Sequence, residues 1–326
     1  MKKELPISII IPTFNREEAL KRTLFTINEF SKTIPNEIIV VDQSTKQETR
    51  KRICDCCNEF ASIKCRYIFL EMPSSTKARN VGIEKACNDI LLFMDDDVDL
   101  NSDTLGNIYE LLSNESIAMV GVIDETLPTS GGTLGYLFSM KSYRNRNIGH
   151  VTKALLGRYP QNVKGTVDTM WAMGFCFAVK KQYVKKWNLF FDEKLTGYAY
   201  AEDLDFTYRY YRQAQKHQLK CLLSENVSVR HLETKEYRIP SKRNVFKYVI
   251  NRKYLAYKYE SPITTHISMC WSNIGLMLSR IANHESCYDI ISASRRCHQL
   301  KKYLKKGIIK EEFFDDNFCA KELEVN

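Results

Sequence analysis

Four apolar runs, the first of them almost wholly β-branched, alternate with helical patterns in the first hundred residues, and this alternation narrows the fold more than any other feature. Ile7-Ser8-Ile9-Ile10-Ile11 stops at Pro12-Thr13-Phe14-Asn15 and gives way to Leu20, Leu24 and Ile27 at helical spacing. Glu37-Ile38-Ile39-Val40-Val41-Asp42 precedes a charged helix from about Lys46. Arg66-Tyr67-Ile68-Phe69-Leu70 leads through Pro73-Ser74-Ser75 to a helix carrying Ala78, Val81, Ile83 and Ala86, and the fourth run is Ile90 to Met94. Runs without polar alternation belong to strands buried on both faces, as in a parallel sheet. Parallel neighbours need right-handed crossovers, so helices cover both faces and the fold class is α/β. Ligands of such sheets bind at the carboxyl ends of the strands, which predicts that Thr13, Asp42 and Asp95 to Asp97 meet at one crevice.

The fourth run leads straight into Asp95-Asp96-Asp97-Val98-Asp99. Three adjacent carboxylates repel one another and lose hydration at a strand end, so solvent or a cation has to compensate them. Asp95 and Asp97 alternate and can face one side, supplying hard oxygen ligands to Mg2+ or Mn2+ while phosphates and water complete the shell. The other reading is a helix N-terminus opened by Asp99 or Asn101, although a cap uses one acid rather than three. No G-x-G-x-x-G follows the first strand and no G-x-x-x-x-G-K-S/T occurs, so the chain has neither a dinucleotide fingerprint nor a P-loop.

Ile117 to Val122 predicts a further strand. From Asp124 to Gly165 the pattern dissolves into Gly131, Gly132 and Gly135 and a basic cluster of Lys141, Arg144 and Arg146, either a substrate-facing excursion or a surface insertion. Regular structure resumes from Val167 to Val179 around Trp171, Gly174 and Phe177. Ala201-Glu202-Asp203-Leu204-Asp205-Phe206 opens a helix whose acids suit its dipole, with Arg209 as an i,i+4 partner of Asp205. Cys221 to Leu223 and Val227 to Val229 then lead to Arg230-His231.

The net charge of +9 is unevenly placed. Residues 234 to 310 hold sixteen Lys and Arg against four acids, about +12, and leave the remainder slightly acidic. Helical patterns there run through Val245, Tyr248, Val249, Tyr254, Leu255 and Tyr257, then Ile274 to Ile281, then Cys297 to Leu304. Ile263 to Leu278 is too polar to span a bilayer. Basic amphipathic helices suit an anionic membrane surface, or else present a solvated face while packing on the body. The acidic stretch Glu311 to Asp316 caps this tail or frays. Eleven cysteines at irregular spacing do not form a disulfide framework and suit a reducing cytoplasm, and Cys54, Cys56, Cys57 and Cys65 lack paired C-x-x-C spacing for zinc. Nothing reads as a secretory signal or a spanning helix.

Five pieces resemble, in order and spacing, family 2 glycosyltransferases of the GT-A fold: Ile9 to Arg16, Ile39-Val40-Val41-Asp42, Lys77-Ala78-Arg79-Asn80-Val81-Gly82, Phe93 to Asp97, and Glu202-Asp203. The resemblance runs from Ile7 to His231. It implies a nucleotide-diphospho-sugar transferase fold of mostly parallel sheet over residues 1–233, with the nucleotide and metal half at 1–122 and the acceptor half at 123–233. A basic, mainly helical extension follows at 234–326. The resemblance implies nucleotide-sugar contacts from Pro12, Thr13, Asn15, Asp42, Arg79, Asn80, Asp95 and Asp96, with Asp42 reading the base. Gln43-Ser44-Thr45 stands where the family usually has Asp/Asn-Gly-Ser. Arg79 suits a diphosphate because its fork pairs phosphate oxygens. Asp95 and Asp97 match the D-x-D motif for Mn2+ or Mg2+; some members add a histidine, which His231 matches, unless it is an ordinary hydrogen-bonded histidine. Asp203 matches the catalytic base, beside Glu202 as a like charge. One base and direct displacement imply inversion at the anomeric carbon.

The implied activity is transfer from a nucleotide-diphospho-sugar, a UDP-sugar favoured, to a hydroxyl of a glycan or lipid-linked acceptor in surface polysaccharide or glycoconjugate synthesis. The implied place is the cytoplasm, with peripheral attachment to the inner face of the membrane and no nucleic-acid partner. Trp171 and Tyr198 to Tyr200 either stack on a sugar ring or fill core. Two other functions remain open: a nucleotidyltransferase, which normally carries a Gly-rich N-terminal loop unlike Pro12 to Asn15, and a nucleic-acid or anion binder acting through the basic tail.

Overall fold

Strands buried on both sides do form the centre of the molecule. The computed structural model describes residues 2–59, 63–126, 133–196, 200–232, 241–315 and 318. The chain begins with β1 (Lys3–Thr13), α1 (Glu17–Glu29), β2 (Thr33–Asp42), α2 (Gln47–Glu59), β3 (Lys64–Phe69), α3 (Ser75–Lys85) and β4 (Ile90–Met94). Next come β5 (Val98–Leu100), α4 (Thr104–Ser113), β6 (Ile117–Asp124), α5 (Leu134–Leu137), β7 (His150–Val151), β8 (Gly157–Arg158) and β9 (Thr166–Asp168). The body closes with β10 (Cys176–Lys180), α6 (Lys181–Lys186), α7 (Glu202–Lys216) and β11 (Lys220–His231). The C-terminal part holds α8 (Ser241–Lys258), α9 (Ile263–Ala282), α10 (Tyr288–Gln299), α11 (Lys301–Lys305) and a 3-10 turn at Glu311–Phe314. Gly131, Gly132, Tyr198 and Asp316 lie outside the described residues.

Among the described residues nine strands form one sheet in the order β3-β2-β1-β4-β10-β6-β11-β5, with β9 also on β11. The pairs β1–β2, β2–β3, β1–β4 and β6–β11 are parallel. Ile7, Ile9 and Ile11 face one core with Leu20, Leu24 and Leu105, while Ile10 faces the other with Val41, Phe93 and Phe206. Period-2 alternation therefore feeds two cores at once, which is why the run shows no polar face. At Gly82 the backbone of α3 sits so close to β1 that a Cβ would stand 2.3 Å from the Ile10 side chain.

The Val167 to Val179 stretch divides into β9 and β10, because Trp171 to Phe175 turns without any polar turn residue to mark the break. β10 then runs antiparallel between β4 and β6. Its first residue, Cys176, opposes Met94, so Gly174 and Phe175 arrive at the aspartate end of β4. Conversely, residues 221–223 and 227–229 belong to the single strand β11, irregular where its register shifts between Leu223 and Ser228.

The basic tail packs on the body. Val245, Phe246, Val249, Ile250 and Leu255 of α8 share a core with Leu156, Trp171, Leu195 and Leu204. Asp205, fully buried at the start of α7, pairs with Arg209 as the spacing predicts, and also with Lys258 and Tyr259. Arg252 is fully buried and donates to Ala154 O, Ser272 Oγ and Asn273 Oδ1. Glu311 accepts from Thr196, Arg243 and Lys247, so the acidic stretch caps the tail. Among the described residues no helix is long and apolar enough to cross a membrane.

Away from the carboxyl ends of the strands, Glu37 of β2 accepts from Ser8 Oγ and Cys87 N–H and pairs with Arg66. Burial opposes its charge, but these donors overcome that and hold its pKa below the ordinary value. A depressed carboxylate stabilises the fold above its unfolded pKa and loses that contribution as pH falls through the folded one. Urea unfolding should show Glu37→Gln less stable by about 2 kcal/mol at neutral pH, with the gap to the parent closing below about pH 4.

Candidate active site

The carboxyl ends of β1 and β4 bring Thr13 and the aspartates together because the two strands pair in parallel. Thr13 donates to Asp96 Oδ2 at 2.7 Å. Asn15 then adopts a left-handed φ of 54°, which asparagine tolerates, and its Oδ1 accepts from Thr45 N–H. That turn sends Arg16 back under the acids, where its guanidinium pairs with Asp96 at 2.8 Å and with Asp97. Strand β11 supplies the histidine: His231 pairs in register with Val98, and Leu232 N–H donates to Asp97 O. His231 Nε2 lies 3.2 Å from Asp97 Oδ1, and its Nδ1 stands 3.8 Å from Asp124 Oδ2.

Asp95, Asp97 and His231 each offer a ligand atom, all within 4.8 Å of one another. Two carboxylates and an imidazole suit Mn2+ or Mg2+, with Mn2+ the better match to nitrogen. Asp124 Oδ2 is buried without a hydrogen-bond partner and faces the far side of the imidazole, the position of an outer carboxylate that orients a metal-binding histidine. The site therefore fits a divalent cation. The four cysteines around α2 do not form such a group among the described residues.

The second acid pair stands at the N-terminus of α7, after Ala201 in the left-handed region at φ 73°. Asp203 accepts from Gly174 N–H at 2.8 Å and from Leu204 N–H at 2.7 Å, which fixes its carboxyl. Gly174 leaves little room here: a Cβ would fall 3.0 Å from Asp203 Cβ and press the carboxyl aside by a few tenths of an ångström. Arg79 ties the two acid groups together, donating to Asp95 and Glu202 at 2.9 Å each and to Gly174 O at 3.2 Å. Its side chain is 3% exposed, so these carboxylates are its structural partners.

Burial raises Asp95 above the ordinary carboxylate value and Asp96 to about 7. Asp97 is buried too, but the His231 and Arg16 contacts prevail and hold it well below that value. Burial also lifts Glu202 to about 7, helped by the charge of Asp203, and raises Asp203 against the pull of its two backbone donors.

These groups line a cavity of about 840 Å³. Pro12, Thr13, Asp95, Asp96 and His231 form one wall, and Gly174, Glu202 and Asp203 the other. Four expected site residues are not among its lining; Asp97, one of them, is paired with Arg16 and His231. Asp42 is fully buried and accepts from Ser44 N–H and Tyr67 Oη, so it shapes the loop that presents Gln43. Asn80 spends its amide on Phe191 and Glu193. Asn15 shapes the turn described above. Trp171 is 7% exposed, packed against Gly157 and Tyr159, with part of its surface at the cavity. No site role is legible in the sequence for Arg16, Gly174 or Asp124, or for Arg243, Lys247 and Glu311, which extend the cavity wall from the C-terminal part. Asp124 did carry a signal, an acid closing an apolar strand, as Asp42 and Asp95 do.

A mostly parallel sheet with paired acids at its carboxyl edge and an antiparallel β10 defines a GT-A type glycosyltransferase fold. The sequence profile of Glycosyl transferase family 2 matches residues 8–187, and the chain belongs to that family. The glycosyltransferase AglE of Haloferax volcanii is 29% identical over 137 residues, 41% of this chain and 44% of its own. A GalNAc(5)-diNAcBac-PP-undecaprenol beta-1,3-glucosyltransferase of Campylobacter jejuni is 30% identical over 117 residues, 35% of this chain and 36% of its own. The chain thus spans less than half the length of these curated relatives. In structure it resembles the mannosyltransferase PcManGT from Pyrobaculum calidifontis, solved with GDP-Man and Mn2+, at a TM-score of 0.54 and 14% identity over 95% of this chain and 84% of that one.

Titration with Mn2+, read by loss of the free-ion EPR signal, should show specific binding that Asp97→Asn abolishes. Asp124→Asn should weaken it by about 10- to 100-fold, as removal of an outer carboxylate does.

Proposed function

We propose that the protein is an inverting, metal-assisted glycosyltransferase that moves a sugar from a nucleotide-diphospho-sugar to a hydroxyl of a glycan or lipid-linked acceptor. The observation that carries this reading is the coupling, through Arg79, of the Asp95–Asp97–His231 cluster to the Glu202–Asp203 pair across one cavity. A UDP-sugar is the favoured donor, and the name of the Campylobacter relative, with its PP-undecaprenol portion, supports a lipid-linked acceptor. Surface polysaccharide or glycoconjugate synthesis at the inner face of the membrane is the setting that follows.

Asp95, Asp97 and His231 would hold the cation, which when bound offsets the negative charge that gathers on a leaving diphosphate. Asp203 is the proton acceptor for the attacking hydroxyl. Two backbone donors hold its carboxyl in one orientation, and burial makes it more basic than a solvated aspartate. Glu202, paired with Arg79, binds the α7 start to the metal-side wall. With one base and no second carboxylate placed as a nucleophile in this reading, displacement is direct and the anomeric centre inverts.

Slow hydrolysis of UDP-, GDP- and dTDP-sugars in Mn2+, Mg2+ or EDTA tests the reading. One donor should turn over only with metal, Asp97→Ala should abolish turnover, and Asp203→Asn should lower transfer to an acceptor by roughly 100- to 10,000-fold while calorimetric donor binding is kept. Because the base must be ionised, transfer should fall as pH drops through an Asp203 pKa above the ordinary 3.8. Failure of every donor to turn over or bind in metal would overturn the assignment. Gly174→Ala should cost on the order of tenfold or more in turnover by displacing Asp203 while leaving the fold intact.

A further inference from the structure

Six apolar side chains stand out from the surface of α9: Ile263, Ile267, Trp271, Ile274, Leu278 and Ile281, each 39% to 70% exposed. Their successive spacings of 4, 4, 3, 4 and 3 residues put them on one face, a stripe about 30 Å long. The other face is accounted for, with Thr265, Met269, Ser272 and Gly275 buried and Arg252 of α8 bonded to Ser272 and Asn273. Helix α9 contains no acid and a single Lys or Arg, Arg280.

Helix α5 widens the stripe. Trp271 Nε1 donates to Leu137 O at 2.8 Å, and the Phe138 ring packs 5.0 Å from the Trp271 ring. Phe138 also fills the space over Gly275, where a Cβ would fall 2.5 Å from it. Leu134 and Leu137 are left 59% and 62% exposed beside α9. Cations border this surface: Lys253, Lys301 and Lys305 surround His266 of α9, and exposed Arg144 and Arg146 follow α5. From Ile263 to Lys310 there are eight Lys and Arg against two acids.

Building on the lipid-linked acceptor read above, we propose that α9 and α5 form a membrane-docking face that lays the protein on a bilayer bearing anionic head groups. The chemistry of the face selects that occupant. An apolar stripe holding a tryptophan and rimmed by cations complements a negative interface, where the apolar residues enter the acyl boundary and the cations meet head groups. The α9 stripe offers about 300 Å², and the four-residue α5 adds only its exposed Leu134 and Leu137, which leaves the face below the roughly 800 Å² per partner of a stable protein interface. A second copy seated on it would also bring like charges together. The face is joined to the candidate active site: α8 holds α9 through Arg252 and lends Arg243 and Lys247 to the cavity, while Met140, just after α5, accepts from the cavity residue Arg158. Docking would therefore set the cavity wall supplied by the C-terminal part beside the head groups.

The test is flotation of the full chain with vesicles of phosphatidylcholine alone or mixed with phosphatidylglycerol, together with quenching of Trp271 by brominated lipid. The parent should partition onto the phosphatidylglycerol vesicles and be quenched there. Ile267→Ser/Leu278→Ser should lower partitioning by about tenfold or more with an unchanged circular dichroism spectrum. Lys301→Gln/Lys305→Gln should lower it on anionic vesicles only, as added salt does. No partitioning by the parent, or equal partitioning by the apolar variant, would overturn the proposal. So would a dimer in light scattering that Ile267→Ser/Leu278→Ser converts to monomer, which would assign the face to self-association. Vesicle binding requires no turnover and donor hydrolysis requires no vesicle, so failure here is separable from failure of the transferase reading.

Discussion

Five carboxylates, Asp95, Asp96, Asp97, Glu202 and Asp203, converge on one crevice, and the rest of the structure around them is arranged to make that concentration of charge bearable. Arg16 and Arg79 answer it from opposite sides. Each arginine comes from the turn or helix after a parallel strand, so the crossovers that build the sheet also deliver its counter-charges. A buried ion pair adds little net stability, because the desolvation of both partners is large. Its effect here is geometric: Arg79 cannot satisfy Asp95 and Glu202 together unless α3, β4 and α7 hold fixed relative positions. The aromatic stack of Phe93, Phe177, Phe191 and Phe206 beneath provides a rigid floor for that clamp.

What sequence could reveal divides along a physical line. Both the four initial strands and the aspartate edge follow from hydropathy and from which residues end each run, which are local properties. The meeting of His231 with Asp97 depends on a pairing between residues 98 and 231, and no local pattern announces it. The insertion of β10 was hidden for the same reason, since an apolar run reads alike whether its strand is parallel or antiparallel. Arg79 lines the cavity while bridging Asp95 and Glu202, whereas Asn80 lies outside the lining and fastens the segment before α7. Hydrogen bonding to other protein groups is the commonest fate of buried polar side chains. Asp42 follows the same rule.

Compositional contrast suggested a basic tail set apart from a catalytic body. The core shared by α8, Trp171 and Leu204 shows how that contrast arises without separation. Positive charge collects on outward faces of the C-terminal helices, while Lys247 and Arg252 turn inward to hydrogen-bond with protein groups. A cavity wall is thereby built from Arg243, Lys247 and Glu311, all well beyond the last family motif, Glu202-Asp203.

The antiparallel strand β10 has a consequence for how such a chain can vary. It hydrogen-bonds to β4 on one side and β6 on the other, so a strand from the second half of the body is the mortar between two from the first. Cutting the gene near residue 122 would expose β4 as a bare edge, open to pairing with any extended peptide. The two halves of the body therefore cannot be exchanged between relatives as cassettes at that boundary. They can diverge only by loop substitution on a shared sheet, or by replacing the helices that follow His231.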